Sequence, residues 1–118
     1  MATKYSPKII TNGLVLSLDA ANNKSYPRSG TTWTDLSGNS NTGTLTNGPS
    51  FNDGNQGSIV FDGTDDYVNI PYNSGLIPNN LTLSAWINRT AVVNYAHFIG
   101  IPASNTTWLP PYISIRFV

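Results

Sequence analysis

The sequence predicts an all-β domain, on three observations. Asn, Thr, Ser, Gly and Pro make up 58 of the 118 residues. These residues either compete with helical hydrogen bonds through their side chains or disfavour the helical backbone itself. Good helix formers are scarce, with no Glu, one Gln, one Met and three Lys. Apolar residues still reach 39%, with ten Ile, three Trp and six Tyr, so the chain can build a core and is not a disordered tract. A length of 118 residues is that of one domain.

The elements follow in order. Residues 1–12 read as an N-terminal arm, and residues 13–118 as the domain. Leu14, Leu16 and Leu18 share one face at a period of two, which predicts a strand. Residues 19–49 form a long excursion dense in turn residues, with Trp33 and Leu36 as its expected anchors; loops of that length are usually functional or packed by their own side chains. Ser58–Phe61 and Tyr67–Ile70 predict two strands joined as a hairpin by DGTDD (62–66), where Asp and Gly tolerate turn conformations. LTLSAWIN (81–88) alternates cleanly and predicts a strand that packs Trp86. Residues 91–101 carry both a helical stripe and a strand pattern. Gly100 and Pro102 at their end favour the strand. YISIRFV (112–118) alternates again, with Ile113, Ile115 and Phe117 on one face, and stops without a turn signal, as an assembly edge would.

Charge and rare residues narrow the function. Six cations balance six Asp, and the cations are spread singly, so the clustered positive charge that nucleic-acid binding needs is absent. No Cys means no disulfide, thiolate nucleophile or Cys-ligated zinc, and the single His97 excludes a His-pair metal site within one chain. MATKYSPKIITNG holds no apolar run of about seven to fifteen residues, so no secretory signal is expected. No stretch is long and apolar enough for a membrane helix.

Segments 13–49, 58–71 and 81–88, in this order and spacing, cover half the chain and resemble the N-terminal half to two-thirds of concanavalin A-like lectin/glucanase domains of the laminin G-like type. The resemblance implies an antiparallel β-sandwich of jelly-roll topology, a non-catalytic binding role, and use in adhesins and phage virion proteins. Such domains are longer than this chain. The remainder then belongs to a longer natural protein, or a neighbouring subunit covers the open edge, since a bare strand edge invites aggregation. With no export signal, a virion protein released by lysis is expected: capsid decoration, neck, tail or fibre, self-associating or bound to other virion proteins, with host glycans as further partners. The alternative is a carbohydrate-binding domain of a larger secreted adhesin or glycan-active enzyme, which would be extracellular.

Three groups of residues are candidates for chemistry. Hydrolysis by a retaining glucanase of this superfamily requires a Glu pair, and the chain has no Glu. His97 has no nucleophile-elbow serine pattern to serve. Asp62, Asp65 and Asp66 could converge on calcium as hard oxygen ligands, the alternative being a turn that caps its own backbone. No other cofactor is expected. Trp33, Tyr72, Trp108 and Tyr112 are candidates for sugar stacking, with core anchoring or a protein interface as the competing roles.

Overall fold

A computed structural model describes residues 9–91, 97–101 and 113–116. The chain divides into two compact units, Met1–Pro71 and Tyr72–Val118. Among the described residues all regular structure is strand apart from two single 3-10 turns, Gly54–Gln56 and Ser74–Leu76. The all-β prediction therefore holds, as small antiparallel sheets with no closed barrel among those residues.

The first unit holds two sheets. Strands β1 (Thr32–Trp33), β2 (Gly43–Thr46) and β5 (Tyr67–Asn69) form one, in the order β1-β2-β5. Trp33 lies opposite Gly43, and Leu45 opposite Val68. β2 alternates as a half-buried strand should, with Gly43 and Leu45 buried and Thr44 exposed. Gly43 is required by proximity, because a Cβ there would lie 2.7 Å from Val68 Cγ1. Strands β3 (Ser50–Asn52) and β4 (Ser58–Val60) form the second sheet, with Phe51 opposite Ile59. Their connection carries Asn55, Gln56 and Gly57 at positive φ.

The core of this unit is small and aromatic. Tyr26 and Leu45 are its buried hydrophobic residues. The Tyr26 ring meets Trp33 edge-on at 6.4 Å and Phe51 at 5.7 Å, distances at which aromatic pairs attract. Trp33 thus anchors the long excursion as expected, but Leu36 does not, being exposed; Tyr26 and Leu45 take that place.

Three predicted features differ. Residues 14–18 are half-buried but join no ladder, because side chains of 35–41 bond their main chain instead of a neighbouring strand. β4 and β5 exist as predicted, but they do not pair with each other: β4 pairs with β3 and β5 with β2, so 62–66 connects two sheets. Residues 81–88 form no strand. Leu81 and Leu83 are half-buried, yet no described strand pairs with the segment, and Trp86 is fully exposed rather than packed.

In the second unit, β6 (His97–Ile101) and β7 (Ile113–Arg116) pair antiparallel, with Ile99 opposite Ile115 and an irregularity between His97 and Ile99. The strand preference at 91–101 is met over 97–101. One edge of β7, with Ile113 and Ile115, is taken by β6; Phe117 lies outside the described residues.

Candidate functional site

Among the described residues, a dense set of polar hydrogen bonds is centred on Asp35, in the loop DLSGNSN (35–41) between β1 and β2. Asp35 is 8% exposed, and among the described residues neutral donors, rather than a cation, offset its charge. Its Oδ1 accepts from the N–H of Ser17 at 2.9 Å and of Ser37 at 2.8 Å. Its Oδ2 accepts from the Ser37 hydroxyl at 2.7 Å and the Asn41 N–H at 3.0 Å. Burial opposes the charge, but the Ser37 hydroxyl and the three N–H groups outweigh it and hold the carboxyl below the ordinary 3.8.

The rest of the loop completes the same knot. Asn41 Nδ2 and Ser37 Oγ both donate to the Val15 carbonyl, and Asn39 Nδ2 donates to that of Leu14. The Leu36 N–H returns to the Ser17 carbonyl at 2.8 Å. Side-chain amides and hydroxyls thus do for residues 14–17 what a neighbouring strand does elsewhere. Below this knot, Ser25 is fully buried; its hydroxyl donates to the Thr34 carbonyl at 2.7 Å and accepts from the Asp19 N–H at 3.0 Å. A buried carboxylate that accepts four hydrogen bonds is a structural hub for this loop.

The predicted acidic cluster is brought together. Ligand oxygens of Asp62, Asp65 and Asp66 lie within 4.8 Å of one another. Asp62 Oδ1 accepts from the N–H of Thr64 at 2.8 Å and of Asp65 at 3.4 Å, while Asp66 Oδ2 accepts from the Asp62 N–H at 2.9 Å. The Thr64 N–H is the main cause that holds the Asp62 carboxyl below its ordinary value. Gly63 supplies the positive φ of 78° that the turn needs. Asp62 and Asp66 therefore do the backbone capping in this turn.

Two of the four candidate sugar-stacking aromatics, Trp33 and Tyr72, fall among the described residues. Trp33 is half-buried against Tyr26, and its indole Nε1 is buried with no hydrogen-bond partner. Tyr72, at the start of the second unit, is exposed. Trp108 and Tyr112 lie outside the described residues.

Sequence reasoning missed a shallow, open cleft of about 690 Å³ lined by Arg28, Ser50, Phe51, Asn52, Asp53 and Val60. Sequence reasoning also missed the Asp35 hub, whose signal was the density of Asp, Ser and Asn over 35–41. No family model, curated protein or solved structure matches this chain.

Proposed function

We propose that the chain is a non-catalytic structural and binding module of laminin G-like jelly-roll type that serves in a phage virion. It would decorate a capsid, neck, tail or fibre through self-association and contact with other virion proteins, and present loops to host surface glycans. The observation that carries this reading is how the polar side chains are used. The first unit fixes a long polar loop with a fully bonded, buried Asp35, an arrangement suited to holding a surface rigid without catalysis.

The acids offer little to hydrolysis. A glycosidase general acid needs a raised pKa in a water-poor pocket, whereas Asp62 is exposed and its pKa is lowered. The strands are two to five residues long, and each sheet ends in edges unpaired among the described residues: β1 and β5, β3 and β4, β6 and β7. Such edges are places where another chain can add a strand.

Detection of this chain in purified particles, together with sedimentation of an oligomer in solution, tests the reading. A chain found only free, and monomeric at micromolar concentration, overturns it. The second reading, a lectin domain of a secreted adhesin or enzyme, is favoured by the exposed Tyr72 and Trp86. It predicts saturable glycan binding that falls when Tyr72 or Trp86 is replaced by Ala, with no particle association.

A further inference from the structure

The sequence holds two Asn-Gly pairs, Asn12–Gly13 and Asn47–Gly48, and the fold treats them differently. Each glycine has a positive φ, 78° at Gly13 and 109° at Gly48, and beyond the neighbouring residues no atom lies within 4 Å of where a Cβ would stand. Both glycine nitrogens are therefore open to the side chain that precedes them. Both asparagines are exposed. The difference lies in what holds each amide. The turn at 11–14 is closed by the Leu14 N–H on the Thr11 carbonyl at 3.1 Å, a bond that uses neither the Asn12 side chain nor the Gly13 N–H. Among the described residues that side chain and that N–H have no hydrogen-bond partner. Asn47, between β2 and β3, instead donates from Nδ2 to the Asp65 carbonyl at 2.8 Å, across to the 62–66 turn. That turn brings carboxylate oxygens of Asp62, Asp65 and Asp66 within 4.8 Å of one another.

We infer that Asn12 is a site of spontaneous deamidation in the folded chain, and that the fold protects Asn47 from the same reaction. Water is the only co-reactant. The Gly13 nitrogen loses its proton and attacks Asn12 Cγ; the N–Cγ bond forms, the Cγ–Nδ2 bond breaks, and the amide nitrogen takes up a proton and leaves as ammonia. Water then opens the cyclic imide at either carbonyl, which gives aspartate or, with the main chain rerouted through the side chain, isoaspartate. A following glycine favours the ring because no Cβ crowds the attacking nitrogen. Two features oppose this step at Asn47. Its amide is fixed by the bond to the Asp65 carbonyl, which the side chain has to give up to swing Cγ onto the Gly48 nitrogen. The attack also builds negative charge on the Asn47 side-chain oxygen, beside a turn that already carries three carboxylates, and like charges repel. Conversion of Asn12 adds one negative charge to a chain whose formal net charge is zero. Isoaspartate there also lengthens the main chain of the 11–14 turn by one carbon, next to the residues that the Asp35 loop holds.

The test incubates the full chain in mildly alkaline buffer, with a parallel sample in concentrated urea, and maps both by digestion and mass spectrometry. Exchange of NH2 for OH is followed at each asparagine, and isoaspartate is counted by enzymatic methylation of its carboxyl group. Residue 12 should convert in the folded chain about as fast as it does in urea. Residue 47 should convert at least about fivefold more slowly in the folded chain than in urea, the factor that one hydrogen bond supplies. Asp66→Ala removes one carboxylate and the bond that closes the 62–66 turn, so it should speed conversion at residue 47 and leave residue 12 unchanged. Asn12→Gln should abolish the signal at residue 12. Folded-chain conversion at residue 47 that keeps pace with residue 12, or protection of residue 12 as strong as that of residue 47, overturns the inference. Both outcomes are read in the parent chain, so they stand even where Asp66→Ala fails to fold.

Discussion

Replacing Asp35 should remove the hub on which the first unit's long loop is built. In Asp35→Ala three main-chain donors, the N–H groups of Ser17, Ser37 and Asn41, lose their acceptor. A buried donor left unpaired costs about 1–3 kcal/mol. Asn41 is 5% exposed and should bear most of that, while Ser17 and Ser37 are half-buried and regain some water. The total comes to about 3–5 kcal/mol, a large share of a domain's stability, and should lower Tm by about 10 °C or more. Asp35→Asn keeps one accepting oxygen but turns an amide N–H toward a donor, for a cost of about 2 kcal/mol. Urea titration by circular dichroism measures both, and hydrogen exchange at the Ser17, Ser37 and Asn41 amides localises the loss. The pH dependence has a defined sign. The folded pKa is depressed, so the carboxylate's contribution is full above the unfolded value and lost as pH falls through the folded value, below 3.8. The gap between the parent and Asp35→Asn should therefore stay constant from neutral pH to about 4 and narrow below it. An Asp35→Ala protein that melts within about 2 °C of the parent would refute the reasoning.

Gly57→Ala should destabilise by more than about 2 kcal/mol, read in the same urea titration: Gly57 has a φ of 129°, and a Cβ would sit 2.9 Å from the Ala20 carbonyl oxygen and 3.0 Å from Phe51 Cζ. A midpoint equal to the parent's would show that the 53–57 connection moves freely. Ser25→Ala leaves the Asp19 N–H and Thr34 carbonyl without their hydroxyl partner and should cost about 1–3 kcal/mol, whereas Ser25→Thr adds a methyl to a fully buried site and should fare no better. The 62–66 turn is closed by its own carboxylates, so millimolar calcium should leave Tm unchanged at matched ionic strength. A saturable rise that Asp62→Asn abolishes would show a calcium site instead.

How much of this was legible in the sequence depends on what each residue pattern encodes. The fold class was legible because it rests on backbone preferences that composition carries directly: a chain without Glu and nearly half Asn, Thr, Ser, Gly and Pro has few ways to be helical. Strands at 58–60, 67–69 and 113–116 lie where the apolar pattern placed them, and the strand at 97–101 lies where Gly100 and Pro102 decided between conflicting patterns. Their partners were not legible. The β4 and β5 segments read as a hairpin because they are adjacent in sequence, but β3 and β2 outcompete that local pairing. At the sites, the clustering of Asp62, Asp65 and Asp66 was visible because it is local. The Asp35 hub and the Arg28–Asp53 cleft join residues 18 to 25 positions apart, and no periodicity marks such contacts.

The segments 14–18 and 81–88 show what alternation does report. Both carry a period-two apolar pattern and neither sits in a ladder. Over 81–84 the half-buried and exposed positions still alternate as the sequence requires, with Leu81 and Leu83 turned away from water. Periodicity therefore specifies a face. The ladder partner is a separate question, because every main-chain N–H and carbonyl needs a partner and the chain has two kinds to offer. For residues 14–17 the partner is a set of side chains from a loop rich in Asp, Asn and Ser. The composition that excludes helix thus has a second consequence. In this chain the small polar residues do more than form turns: they substitute for strands, and a loop dense in them is itself a predictor of extended segments held without a ladder.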